Sequence, residues 1–250
     1  MFQLAIELAE KIKNNSKHLI ASDEEELLYK GAMLFFFSKA YKSYQAIKTL
    51  WENGFAEDAF VLARTIFEIA LQARYMTKEP RTRARLFFEH DPVERYRYYE
   101  GLKKLGDTEL IQTIESRTEE LSELKQQHDI LKDKYPKGKG WWGKTIRQLA
   151  EQSGREMERR YIAIYWMQSN FVHSGVSSAK VYIVEKDKNM LVNLYPSGAG
   201  DPMIPEEASL YFLDVIRLTA EALDIDIHED FHSACSEITE LIRTSHDSQT

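Results

Sequence analysis

The chain has 250 residues, with 33 basic and 40 acidic side chains, a formal net charge of −7, 43% hydrophobic residues and 12% aromatic residues. The acidic balance excludes a surface-wide attraction to nucleic acid or anionic membrane and leaves room only for a local basic patch. The apolar content excludes a disordered chain, and the single cysteine, Cys235, excludes both an internal disulfide and a cysteine-built zinc site.

No Pro/Gly/Ser-rich or charge-only stretch divides the sequence, so one helical domain over residues 1–250 is expected. Met1 to Glu10 carries acids where an export signal needs bases. The most apolar run, Gly31 to Phe37, is too short to span a bilayer. A reducing, cytoplasmic setting without a membrane partner is the expectation.

Leu4, Ala5, Leu8, Ile12 and Leu19 recur at helical spacing, predicting a helix over 3–20. Ser22-Asp23 marks the next start, and Leu28, Phe35, Ala40, Tyr44, Ile47 and Leu50 carry that helix to a left-handed cap at Asn53-Gly54. Phe55 to Met76 forms its antiparallel partner, closed by Pro80, and Asp91-Pro92 is expected to interrupt the following helix. Between Leu110 and Leu131, Leu110, Ile114, Leu121, Leu124 and Leu131 keep near-heptad spacing among charges, as in one helix that protrudes or pairs with a partner.

A Gly/Lys-rich loop follows from Lys132 to Trp142, then helices over 144–152 and 156–173, ended by Gly175. Val181 to Glu185 and Met190 to Leu194 flank Lys186-Asp187-Lys188-Asn189 and predict a β-hairpin insertion over 179–195. Pro205-Glu206-Glu207 opens a helix running through Leu223, and a last helix covers 229–243. The fold class is therefore all-α, a helical bundle with one small β-hairpin.

Gly138-Lys139-Gly140-Trp141-Trp142-Gly143-Lys144-Thr145 satisfies the phosphate-loop string, but a charged helix precedes it where a buried parallel strand is required. The context favours a loop over a nucleotide-hydrolysing site. As a binding element the same region is basic, with Lys137, Lys139, Lys144 and Arg147 around Trp141 and Trp142. Cations to hold phosphates and aromatic faces to stack bases are what single-stranded nucleic acid requires, while tryptophans buried as loop anchors are the plainer reading.

Arg64 and Glu68 stand four residues apart in the apolar segment Ala63 to Ala70, so they share a helix face and need partners if buried. Tyr165, Ser169 and His173 form a second stripe with the same spacing. His173 is the candidate proton-exchanging group, with Ser169 beside it, and a histidine that merely caps the helix is the competing reading. His228 and His232 fit H-E-x-x-H, but no third ligand can be assigned, so neither a metal nor a cofactor is expected.

Through Ala63-Arg64 to Glu68, Trp142 to Leu149, and Tyr165 through Ser169 to His173, the chain resembles the bacterial domain-of-unknown-function 5677 family over about residues 50–180. That resemblance implies a helical fold and no particular activity. A looser likeness is to helical nuclease domains of prokaryotic defence and toxin systems, whose active helix carries an arginine before its histidine. Trp166, Met167 and Gln168 supply no such arginine, so Arg64 would have to reach in from another helix.

The resulting expectation is recognition of RNA or a nucleotide phosphate, with metal-independent cleavage as its stronger form. Arg64, Glu68, Ser169 and His173 would converge on one pocket. The alternative is a non-enzymatic protein that self-associates through the 110–131 helix.

Overall fold

The computed structural model describes residues 1–16, 20–186, 189–196 and 202–247. Its helices are α1 (Phe2–Asn15), α2 (Glu24–Glu52), α3 (Ala56–Lys78), α4 (Pro80–Leu105), α5 (Thr108–Glu115), α6 (Thr118–Leu131), α7 (Ile146–Gln152), α8 (Arg155–Arg160), α9 (Trp166–Val172), α10 (Val176–Tyr182), α11 (Met203–Ala222) and α12 (His228–Asp247). Strands β1 (Ile183–Lys186) and β2 (Asn189–Val192) lie between α10 and α11. No helix among the described residues is long and apolar enough to cross a membrane.

The core is a trio in which α2, α3 and α11 pack on one another. Their contact faces are rich in small and aromatic residues. Ala40, Ala63, Ala70 and Phe212 are fully buried, and the Phe212 ring stacks on Tyr44 at 4.6 Å. Small side chains let helix axes approach while the rings fill the spaces between them. The Tyr44 hydroxyl pairs with Ser209 at 2.6 Å, so the buried phenol of α2 is satisfied by α11. Helix α1 packs on α11, α4 on α2, α6 on α4, and both α7 and α9 on α3.

Asp23 caps α2 by accepting from the Glu26 amide at 2.8 Å, while the Glu26 carboxylate accepts from the Ser22 amide at 2.7 Å. Glu26 also pairs at 2.7 Å with Lys30, whose ammonium is buried and donates to the Ile20 carbonyl at 2.9 Å. The Lys30 hydrogen bond, and then those from Ser22, hold the Glu26 carboxyl at about 2, well below its ordinary 4.5. A carboxyl depressed in the folded state contributes stability above its ordinary value and loses it as the proton returns. Wild type should therefore lose thermal stability as pH falls from 4.5 towards 2 more steeply than Glu26→Gln. Parallel melting-temperature curves for the two proteins would refute this.

Three expected boundaries moved. Pro92 does not interrupt α4, which runs unbroken from Pro80. The carbonyl deprived of its helical donor belongs to Phe88 on an exposed face, and Ala84, Val93, Tyr99 and Leu102 hold the helix in place by burial. The single helix expected over 110–131 is two, α5 and α6, with the chain turning at Ser116-Arg117. Its apolar residues do not form a protruding seam: Ile114, Leu121 and Leu124 face Arg95 of α4 across a groove. The helix expected over 3–20 ends at Asn15, and Leu19 lies outside the described residues.

The hairpin is present, with Ile183 opposite Val192 and Lys186 opposite Asn189. Val181 and Tyr182, expected in its first strand, instead complete α10, which opens with the Ser178 hydroxyl bound to the Gly175 carbonyl at 2.7 Å. Asp187 and Lys188 of the expected turn lie outside the described residues. Every described β2 side chain is exposed.

Candidate functional site at the α3–α9 seam

Helix α9 is the end of a longer rod that begins at Arg155 and passes through a π-turn over Tyr161–Tyr165. A π-turn shifts the facing of every later residue and occurs disproportionately at functional positions. The rod lies against α3. Phe171 meets Phe60 at 5.6 Å between ring centroids, and Tyr165 meets Phe67 at 5.6 Å. Residue numbers rise along one helix as they fall along the other, so the seam is antiparallel and Gln168 stands at the level of Ala63 and Arg64.

Arg64 and Glu68 form the expected pair, Nε donating to Oε1 at 3.0 Å. Tyr165 completes a triangle. Arg64 Nη2 donates to its hydroxyl at 2.7 Å, the hydroxyl donates to the same Glu68 oxygen at 2.8 Å, and the guanidinium carbon lies 4.5 Å from the ring centroid. Burial, and then the Glu68 charge, push the Tyr165 phenol above its ordinary value, so it stays a neutral donor. One hydroxyl thus links arginine to carboxylate and locks both rotamers.

The seam also holds polar atoms with no partner. Among the described residues, Arg64 Nη1 is buried without a hydrogen bond, and so are both amide atoms of Gln168, whose side chain is 0% exposed. A buried polar atom without a partner costs about 1–3 kcal/mol. A ligand, an ion or an ordered water that completes the missing hydrogen bonds would offset that cost.

Ser169 and His173 do not join this network. No hydrogen bond of either side chain is seen among the described residues. Ser169 is half-buried and His173 exposed at the end of α9. The expected four-residue convergence is therefore only two residues deep, Arg64 with Glu68. Tyr165 and Gln168 supply what the expected set lacked. Past His173 the chain turns sharply: Ser174 has φ 50, and a Cβ on Gly175 would come within 2.5 Å of the Asn170 side-chain oxygen. A non-glycine residue in the left-handed region is an uncommon choice, and here it turns the chain out of α9.

The basic loop is anchored rather than open. Trp141 is 5% exposed, ringed by Phe36, Phe87 and Tyr75, and donates to Gln72 Oε1 at 3.0 Å. It is a core residue with no face left for stacking, a correction to its expected role as a binding platform. Trp142 is half-buried, donates to the Lys144 carbonyl at 2.6 Å and covers Gly140, where a Cβ would lie 2.7 Å from its ring. Glycine is required there both by φ 61 and by this approach. Lys144 Nζ bonds Gln152 at 2.9 Å, and Arg147 bonds Glu151 at 2.9 Å. Exposed Lys137 and half-buried Lys139 have no acidic partner among the described residues.

The phosphate-loop string sits between a helix and the seven-residue α7, and Thr145 caps that helix by accepting from the Gln148 amide at 3.2 Å. No strand precedes it among the described residues. His228 and His232 are exposed with ring centroids 4.6 Å apart. No group of three or more His, Cys, Asp or Glu suited to a metal occurs among the described residues.

Gln72 ties loop to seam. It lies eight residues beyond Arg64 on α3, about 12 Å along the axis, and its amide donates to the Glu68 carbonyl while its oxygen holds Trp141. Arg64, Glu68 and Gln72 form one polar stripe on a core helix, meeting α9 at one end and the basic loop at the other.

Fold and site together define a mainly α-helical bundle with a polar seam between two packed helices. The chain belongs to DUF5677, a family of unknown function whose model matches residues 30–190. No curated protein and no solved structure matches the chain. The matched span runs from α2 into the hairpin and contains both α3 and α9. These comparisons show no likeness to helical nuclease domains.

Proposed function

We propose that this protein recognises a phosphate-bearing ligand at the α3–α9 seam, with single-stranded RNA as the class to test. The observation that carries the reading is the buried, unpartnered Arg64 Nη1 at the level of the equally unpartnered Gln168 amide. Together they offer donors from both sources and one acceptor, a set suited to a phosphate oxygen and a neighbouring hydroxyl. Glu68 and Tyr165 orient the arginine. Lys137 and Lys139 would guide the polyanion, and His173 would be the proton-exchanging group in a cleavage step. The test is RNA binding and cleavage by wild type beside Arg64→Gln and His173→Ala, with metal excluded.

A second reading, self-association, is favoured by a different surface from the 110–131 segment first expected. Trp166 is 62% exposed, Val176 89%, Leu194 82% and Tyr195 83%, and among the described residues the uncharged strand β2 pairs with β1 alone. A two-stranded hairpin is marginal in water on its own. An uncharged antiparallel edge is complementary to a second copy of itself. Light scattering should give a dimer mass for wild type and a monomer mass for Leu191→Lys and Val176→Glu, both exposed sites where folding is indifferent to the change. A monomeric wild type, or unchanged mass in both variants, would remove this reading.

A further inference from the structure

A second cavity lies on another side of the bundle, between α3, α8, α11 and α12, with a volume of about 240 Å³. Its floor is apolar, with Met157, Leu213 and Phe231 beside the ring of Tyr211. Three guanidinium groups line it, those of Arg74, Arg160 and Arg217, against two carboxylates, Glu156 and Asp214. With Glu207 and Glu221, which pair with Arg160 and Arg217 from beside the lining, three guanidiniums meet four carboxylates, so the feature that singles out this cavity is the placement of the arginines and not net charge.

The arginines are held in place without being used up. Arg217 Nη2 donates to Asp214 Oδ1 at 2.9 Å, and its Nη1 donates to Glu221 at 2.6 Å. Arg160 donates to Glu156 through Nε at 2.8 Å and to Glu207 through Nη1. Arg74 spends only Nε, on Asp214 Oδ2, and no hydrogen bond of its two terminal nitrogens is seen among the described residues. A guanidinium fixed at one edge with its fork free is prepared for bidentate capture of a planar or tetrahedral anion.

We infer that this cavity is a binding site for a small organic anion with an apolar or aromatic body, the body lying over Tyr211 and Phe231 and the anionic head meeting Arg74. Arg160 and Arg217 flank the head, each already paired with two carboxylates, so the contact that captures it is the free fork of Arg74. The site is separate from the α3–α9 seam: its α3 residue, Arg74, lies ten positions beyond Arg64.

Cys235, the chain's only cysteine, lies on the cavity wall and supplies a local readout. The experiment measures the rate of Cys235 alkylation by iodoacetamide in the full chain, with rising naphthalenesulfonate as probe and naphthalenemethanol as its neutral counterpart. Naphthalenesulfonate should slow alkylation saturably and naphthalenemethanol should do so only weakly. The sulfonate concentration needed should rise about tenfold in Arg74→Gln, the loss of one charge-assisted contact. Arg217→Gln provides a second variant, and circular dichroism confirms that each is folded. No protection in wild type, equal protection by the neutral compound, or protection unchanged in both folded variants would overturn the site. None of these results depends on RNA.

Discussion

Trp141→Ala is expected to lower stability by about 3–5 kcal/mol, the range for removing a large aromatic side chain from a packed core. The ring is 5% exposed and contacts Phe36 of α2, Tyr75 of α3 and Phe87 of α4. Its loss opens a cavity where three helices meet and also leaves Gln72 Oε1 without its indole donor. Denaturant unfolding gives the value. A loss below about 1 kcal/mol, typical of a surface position, would return Trp141 to the role of an exposed stacking residue.

Gln168→Met is expected to act in the opposite direction, raising stability by about 1–3 kcal/mol, the cost of the unpartnered polar group it removes. Methionine keeps the length and flexibility of glutamine and fills the same space without an amide. A stabilising change that abolishes ligand recognition is the signature of a residue kept for function at the expense of stability. Destabilisation by the same substitution would mean that the amide is satisfied within the seam, and the binding reading would lose its main support.

How much of this was legible beforehand differs between fold and site. Helical periodicity and the Asp23 and Asn53-Gly54 caps predicted α2 and α3 because local spacing and tertiary burial agree there. Pro92 misled because a proline's local cost can be outweighed by burial further along the helix, and the 110–131 spacing misled about helix number because the chain turns at Ser116-Arg117 without breaking the apolar spacing. Arg64 with Glu68 was readable from four-residue spacing alone. Their third partner was not, since Tyr165 lies 97 residues beyond Glu68. Gln168 had a signal that went unused: it is a polar residue in the Ile164, Gln168, Phe171 stripe, where only apolar residues would pack without cost. For Trp141 the plainer of the two readings, a buried loop anchor, matches its 5% exposure, although a loop tryptophan among lysines has the same local sequence whether it faces solvent or the core.

The most direct test of phosphate recognition at the seam is binding of labelled single-stranded RNA to wild type and Arg64→Gln across a salt series, without metal. Three participating cations, Arg64, Lys137 and Lys139, predict that log affinity falls against log salt with a slope of about −2. Arg64→Gln, shown to be folded, should bind at least about tenfold more weakly, in line with a lost charge-assisted contact. Wild type that binds no RNA in a salt-sensitive way, or a folded Arg64→Gln protein that binds as wild type does, would contradict the account.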